Sequence, residues 1–129
     1  MELLLDLLIE WLAANAEINI DDAPAVIVMS EKELSGLYDR PVHALYEDEE
    51  ETIYLADTVD LSSMQGASVL LHELIHHHQK ESGALAKFTC IRESEELAYN
   101  VQRQFLKTNN IALMPELDPF NSYMRSICG

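Results

Sequence analysis

The sequence predicts an α+β fold in which helices dominate and pack on a small sheet of about three strands. Three observations carry that prediction. Short runs rich in β-branched and aromatic residues, at 26–29, 42–46 and 52–55, lie among longer stretches with the 3.6-residue apolar period of helices. Two capping boxes, Ser30 with Glu33 and Ser62 with Gln65, mark helix starts. The 129 residues, 48% apolar, suit a single domain over 1–129 with one hydrophobic core.

The first helix spans roughly 2–16. Glu2, Asp6 and Glu10 recur every four residues on one polar stripe, so this helix lays its other face on the core. It lacks a basic leader, and two acidic residues interrupt its apolar run, so it reads as neither a signal peptide nor a membrane span. Cytoplasm is the default location, and periplasm the expectation if an export signal precedes Met1 in the natural gene. A loop at Asp21-Asp22-Ala23-Pro24 leads to the run Val26-Ile27-Val28-Met29, which reads as a buried strand. The Ser30 box starts a short helix to about Tyr38, ended by Arg40-Pro41. The runs 42–46 and 52–55 form a hairpin around the acidic turn Glu47-Asp48-Glu49-Glu50-Glu51.

The second box opens a helix that runs to about Ser82, where Gly83 stops it. Its centre is apolar nearly all round, which places it inside the domain. Another helix follows from about Cys90 to Lys107, and a C-terminal helical stretch is expected over 118–127. The balance of 23 acidic against 8 basic residues gives a net charge of −15, which repels phosphate backbones and anionic membranes. Nucleic acid and membrane insertion are therefore not expected. Cys90 and Cys128 form no C-x-x-C unit; they are either free thiols or one disulfide.

The chemistry concentrates in His72-Glu73-Leu74-Ile75-His76. Residues i and i+4 share a helix face, so His72 and His76 can close on one ion, while Glu73 points about a quarter turn away toward a metal-bound water. Two buried imidazoles also need partners or a metal to offset their desolvation. Catalytic zinc takes three protein ligands and leaves a fourth place open. No third histidine follows in the H-E-x-x-H-x-x-G-x-x-H spacing, so the third ligand is sought among Glu93, Glu95 and Glu96. Glu95 shares a face with Ile91, Ala98 and Gln102, whereas Glu93 falls with Asn100 and Gln104 on a polar face; Glu95 ranks first and Glu96 second. His77 and His78 rotate away from His76 and read as residues that pack or support the site from outside, ahead of ligands for a further metal. His43 and Tyr123 are further candidates to donate to an oxyanion.

The strings HELIHHHQ and Glu95-Glu96-Leu97-Ala98-Tyr99 resemble the gluzincin zinc metallopeptidases, and in particular their small minigluzincin-type bacterial members. The resemblance covers roughly residues 42–106. It implies a zincin-like domain of three to five helices on a small mixed sheet, a Zn²⁺ ion, and the ligand set His72, His76 and Glu95. It also implies hydrolysis of a peptide or protein substrate, with Glu73 as general base. Strand 52–55 would be the rim that pairs with an extended peptide. Tyr99 stands where many gluzincins carry an aspartate that orients a ligand histidine, so Tyr99 either enters the catalytic site or packs beside it. The alternative function is a zinc-binding scaffold, silent or latent, that holds a peptide or protein partner; in the latent form Cys128 would reach the zinc.

Overall fold

The computed structural model describes residues 2–38, 42–88 and 91–109, among which four α-helices and a three-stranded mixed sheet form an α+β fold. Helix α1 (Glu2–Asn15) buries Leu5, Leu8 and Leu12 at helical spacing and leaves Glu2, Asp6 and Glu10 exposed. Trp11 sets its ring edge-on to Phe105 at 5.2 Å, which ties α1 to the last helix described.

Strand β1 (Ala25–Met29) leads into helix α2 (Glu31–Tyr38), then strands β2 (Ala44–Glu47) and β3 (Thr52–Ala56). Ser30 caps α2 by accepting from the Glu33 N–H at 3.1 Å, while its hydroxyl donates to the Glu33 carboxylate at 3.1 Å. The expected hairpin pairs β2 with β3 antiparallel, Ala44 opposite Leu55; β1 joins the other side of β3 in parallel, Ala25 opposite Thr52. The strand order is β1-β3-β2.

Two strand expectations are corrected. The run 26–29 is not a buried strand: β1 is an edge, with Ile27 and Val28 44% and 50% exposed. The long central helix packs on β2 and β3, and α2 on β3, so β1 stands outside the best covered part of the sheet. An apolar run says that a strand favours burial, not which of its faces receives a cover. Residues 52–55 are likewise not a rim. β3 is the central strand, its backbone paired on both sides, so it has no edge to offer. The edge beside the central helix is β2.

Helix α3 (Met64–Glu81) carries the core residues Leu70, Leu71, Leu74 and Ile75, all fully buried. Its cap is Ser63, not Ser62. Asp60 holds the Ser62 hydroxyl and N–H with its carboxylate, so the next serine arrives at the helix end. Ser63 Oγ accepts from the Gly66 N–H at 3.0 Å and donates to the Asp60 carbonyl at 2.7 Å. A Cβ on Gly66 would lie 1.8 Å from that same carbonyl oxygen, so only glycine permits this entry to the helix. At the other end Ser82 and Gly83, the latter with φ +80°, close α3 as expected. A 3-10 turn (Leu85–Lys87) precedes helix α4 (Ile91–Thr108), which buries Ala98, Val101, Phe105 and Leu106. Cys90, Tyr123, Cys128, the Arg40-Pro41 helix stop and the helix expected over 118–127 lie outside the described residues. No helix among the described residues is long and apolar enough to cross a membrane.

Candidate metal centre

The centre of the molecule is a polar seam between α3 and α4, enclosed by their apolar faces. His72 and His76, one turn apart on α3, direct their Nε2 atoms at the same atom, Glu95 Oε1 on α4; the His72 distance is 3.1 Å, and His76 is in still closer contact. The three side chains are 6%, 12% and 16% exposed. One ligand atom from each lies within 4.8 Å of the other two. Two imidazole nitrogens and one carboxylate oxygen are the donor set that zinc accepts, and these residues therefore fit a zinc ion. Glu96 and Glu93 are exposed on other faces of α4 and take no part.

The electrostatics follow from burial and mutual contact. Burial opposes charge on Glu95, but the hydrogen bonds from His72 and His76 overcome it and hold its carboxyl well below the usual range. Burial opposes charge on His76 as well; the Glu95 and Glu73 carboxylates outweigh it and raise the imidazole to about 9. Glu73, buried beside the triad, is raised by desolvation, against the pull of His72 and His76. A carboxyl group moved upward in this way accepts a proton more readily than an exposed one.

Each histidine also has a partner on its other nitrogen. His72 Nδ1 meets Gln102 Oε1 at 2.9 Å, and His76 Nδ1 meets Gln79 Oε1 at 2.9 Å. Both glutamines are 1% exposed. The orienting contact to His72 is therefore made by Gln102 and not by Tyr99, whose ring packs against the His72 ring at a 4.3 Å centroid distance, with the Arg103 guanidinium 5.8 Å from the Tyr99 ring centre. Neither glutamine stood out in sequence as a site residue, although the signal was there: Gln79 follows His72, and Gln102 follows Glu95, by seven residues, which is two helical turns on the same face.

A family model described as Domain of unknown function (DUF6647) matches residues 1–129. The chain belongs to that family. No curated protein and no solved structure matches it.

In this DUF6647 chain the remaining histidines of the triple run serve the scaffold. His77 is buried; its Nε2 lies 2.6 Å from the Asp22 carbonyl and its Nδ1 2.8 Å from the Tyr46 hydroxyl on β2. Glu81, one turn on, accepts the N–H groups of Asp21 and Asp22. His78 Nδ1 reaches the Asn19 carbonyl at 3.0 Å. Together they pin the loop before β1 and the strand β2 to α3. His43 sits at the start of β2 with its ring 3.7 Å from Glu31 on α2, about two-fifths exposed, and is not among the converging groups.

Proposed function

We propose that this protein is a zinc-dependent metallopeptidase of gluzincin type, with His72, His76 and Glu95 as metal ligands and Glu73 as general base. The observation that supports the reading most is the convergence of both Nε2 atoms on one Glu95 oxygen, in a buried setting, with a second carboxyl group, Glu73, of raised pKa alongside. When bound, zinc would supply a water of lowered pKa and a Lewis acid for a peptide carbonyl. Glu73 takes the proton of the attacking water and passes it to the leaving nitrogen. His72 and His76, held on their far sides by Gln102 and Gln79, keep their Nε2 atoms pointed inward throughout. The rim for an extended peptide is β2 in this reading: it borders α3, and among the described residues no strand pairs with its outer edge.

Metal analysis and a peptide-library digest test the proposal together. Glu73→Gln is expected to retain stoichiometric zinc and lose cleavage, by at least the roughly 10²–10⁴-fold that general-base catalysis supplies. Protein that binds no zinc rejects the reading at its first step. Peptide binding without turnover, equal in the wild type and Glu73→Gln, would instead favour the non-catalytic scaffold.

A further inference from the structure

We infer that Tyr46 is a positioning residue: through His77 it hooks the rim strand β2 to the metal-bearing helix, one residue from the ligand His76, and so sets where a bound peptide lies relative to the centre. The triple-histidine run thereby divides its work. His76 faces Glu95, His77 holds β2 and the loop before β1, and His78 reaches the Asn19 carbonyl.

β2 is an edge strand, and its backbone bonds to β3 place it within the sheet but not at a fixed position over α3. Apolar packing between sheet and helix is non-directional and permits sliding. Tyr46 supplies the direction. It stands opposite the fully buried Ile53, so both side chains face the core side of the sheet, where α3 lies. Its hydroxyl is 2.8 Å from His77 Nδ1, and the two rings meet edge-on at 5.5 Å. His77, 2% exposed, is itself fixed: its Nε2 donates to the Asp22 carbonyl at 2.6 Å, and Glu81 holds the N–H groups of Asp21 and Asp22. A carbonyl only accepts, whereas a hydroxyl gives or takes a hydrogen, so both contacts are satisfied whether or not the ring is charged. Burial, and after it the Glu51 and Asp48 carboxylates, push the Tyr46 hydroxyl above its ordinary range, so it remains a hydroxyl. Along the helix axis His77 is only about 1.5 Å from His76. A shift of β2 by about 1 Å would carry a paired peptide with it, and a misplacement of that size can cost on the order of 10²-fold in rate. The hook is read from the hydrogen bonds; its use, setting a peptide against the metal, rests on the proposed function.

Tyr46→Phe removes one oxygen and keeps the ring, at a position distant in sequence from every proposed ligand. Amide hydrogen exchange of the metal-free protein reads the hook. Chelator competition reads zinc affinity, and kinetics on the best-cleaved member of the peptide library read the use. In Tyr46→Phe, exchange at the β2 amides that pair with β3 should quicken about 3–10-fold, while α3 and α4 keep their wild-type rates. Zinc affinity should stay unchanged, and kcat should fall about 10–100-fold with KM little altered. His77→Phe should loosen β2 in the same way, and the double variant should loosen it no further than the worse single one, since both remove one contact. His78→Ala, which gives up only the exposed Asn19 contact, should change none of these readings. If Tyr46→Phe fails to fold, His77→Phe takes its place, with the same effect confined to β2 required of it. Exchange that quickens evenly over the whole chain, or a kcat unchanged in Tyr46→Phe, overturns the inference, for the hydroxyl would then serve stability alone. Loosening confined to β2 in a protein that binds no zinc, or binds it and cuts nothing, would leave the hook standing and remove the metallopeptidase reading.

Discussion

Glu95 is the residue on which the whole centre turns, because among the described residues it is the acidic group that both imidazoles touch. Glu95→Gln should cost zinc affinity at least as much as the roughly 10–100-fold lost with an outer partner, whereas Glu96→Gln, exposed on another face, should leave it unchanged; chelator competition on both variants decides the point. His72, His76 and Glu95 were legible in sequence because their roles depend on helical periodicity, which spacing encodes directly. The glutamines were less so. An amide is not a metal ligand, and its value here depends on what its nitrogen and oxygen meet across the α3–α4 interface, at Ser94 and Ser68, which no spacing along one helix reveals. The same holds for Tyr99, where sequence raised the choice between site and packing, and the ring meets that of His72 in a T-shaped contact at 64°.

At the scale of elements, helices were read more closely than strands. The apolar period of α1, the stop at Gly83 and the extent of α4 follow from local rules, and the structure keeps them. The N-terminus of α3 moved by one serine, because Asp60 competes for Ser62 through its own side chain. The strands carried a larger correction. Which strand is central depends on the parallel pairing of β1 with β3, a contact between distant parts of the chain. The entry to α3 also carries a stability prediction. Gly66→Ala places a methyl group against the Asp60 backbone carbonyl, which is not the end of a flexible side chain and cannot swing away. We expect a loss of about 1–3 kcal/mol, the range for overpacking, or more if the Ser63 cap is displaced with it. Urea denaturation measures it, and a variant as stable as wild type would mean that the Asp60 carbonyl can move away from residue 66 at little cost.

For the molecule as a whole, the triad couples fold stability to pH. In metal-free protein His76 is raised from 6.5 to about 9 by Glu95 and Glu73, which prevail over burial. A raised group contributes stability that is fully present below its unfolded value and lost as pH rises through the folded one. The His76 contribution is therefore expected to fade between about pH 6.5 and 9, and Glu73, also raised, acts in the same direction from its own unfolded value of 4.5 upward. Glu95 acts oppositely: its depressed carboxyl contributes stability above 4.5, lost as acid protonates it. Chelator-treated protein should thus be more stable at pH 6.5 than at pH 9, by on the order of 1–3 kcal/mol in denaturant unfolding, given that a pKa unit is worth about 1.4 kcal/mol and coupled groups share their shifts. Zinc should reverse that trend. Its ligands must be deprotonated, so binding displaces the His76 proton, and affinity rises with pH over the same interval. At a free zinc level about a hundredfold above Kd, mass action would add about 2.7 kcal/mol, so the loaded protein should hold its stability at pH 9 where the stripped protein loses it. Glu95→Gln removes one of the two carboxylates that raise His76, the one hydrogen-bonded to it, and its metal-free stability should vary less over this interval. An equal decline in wild type and Glu95→Gln would place the titrating group elsewhere in the chain.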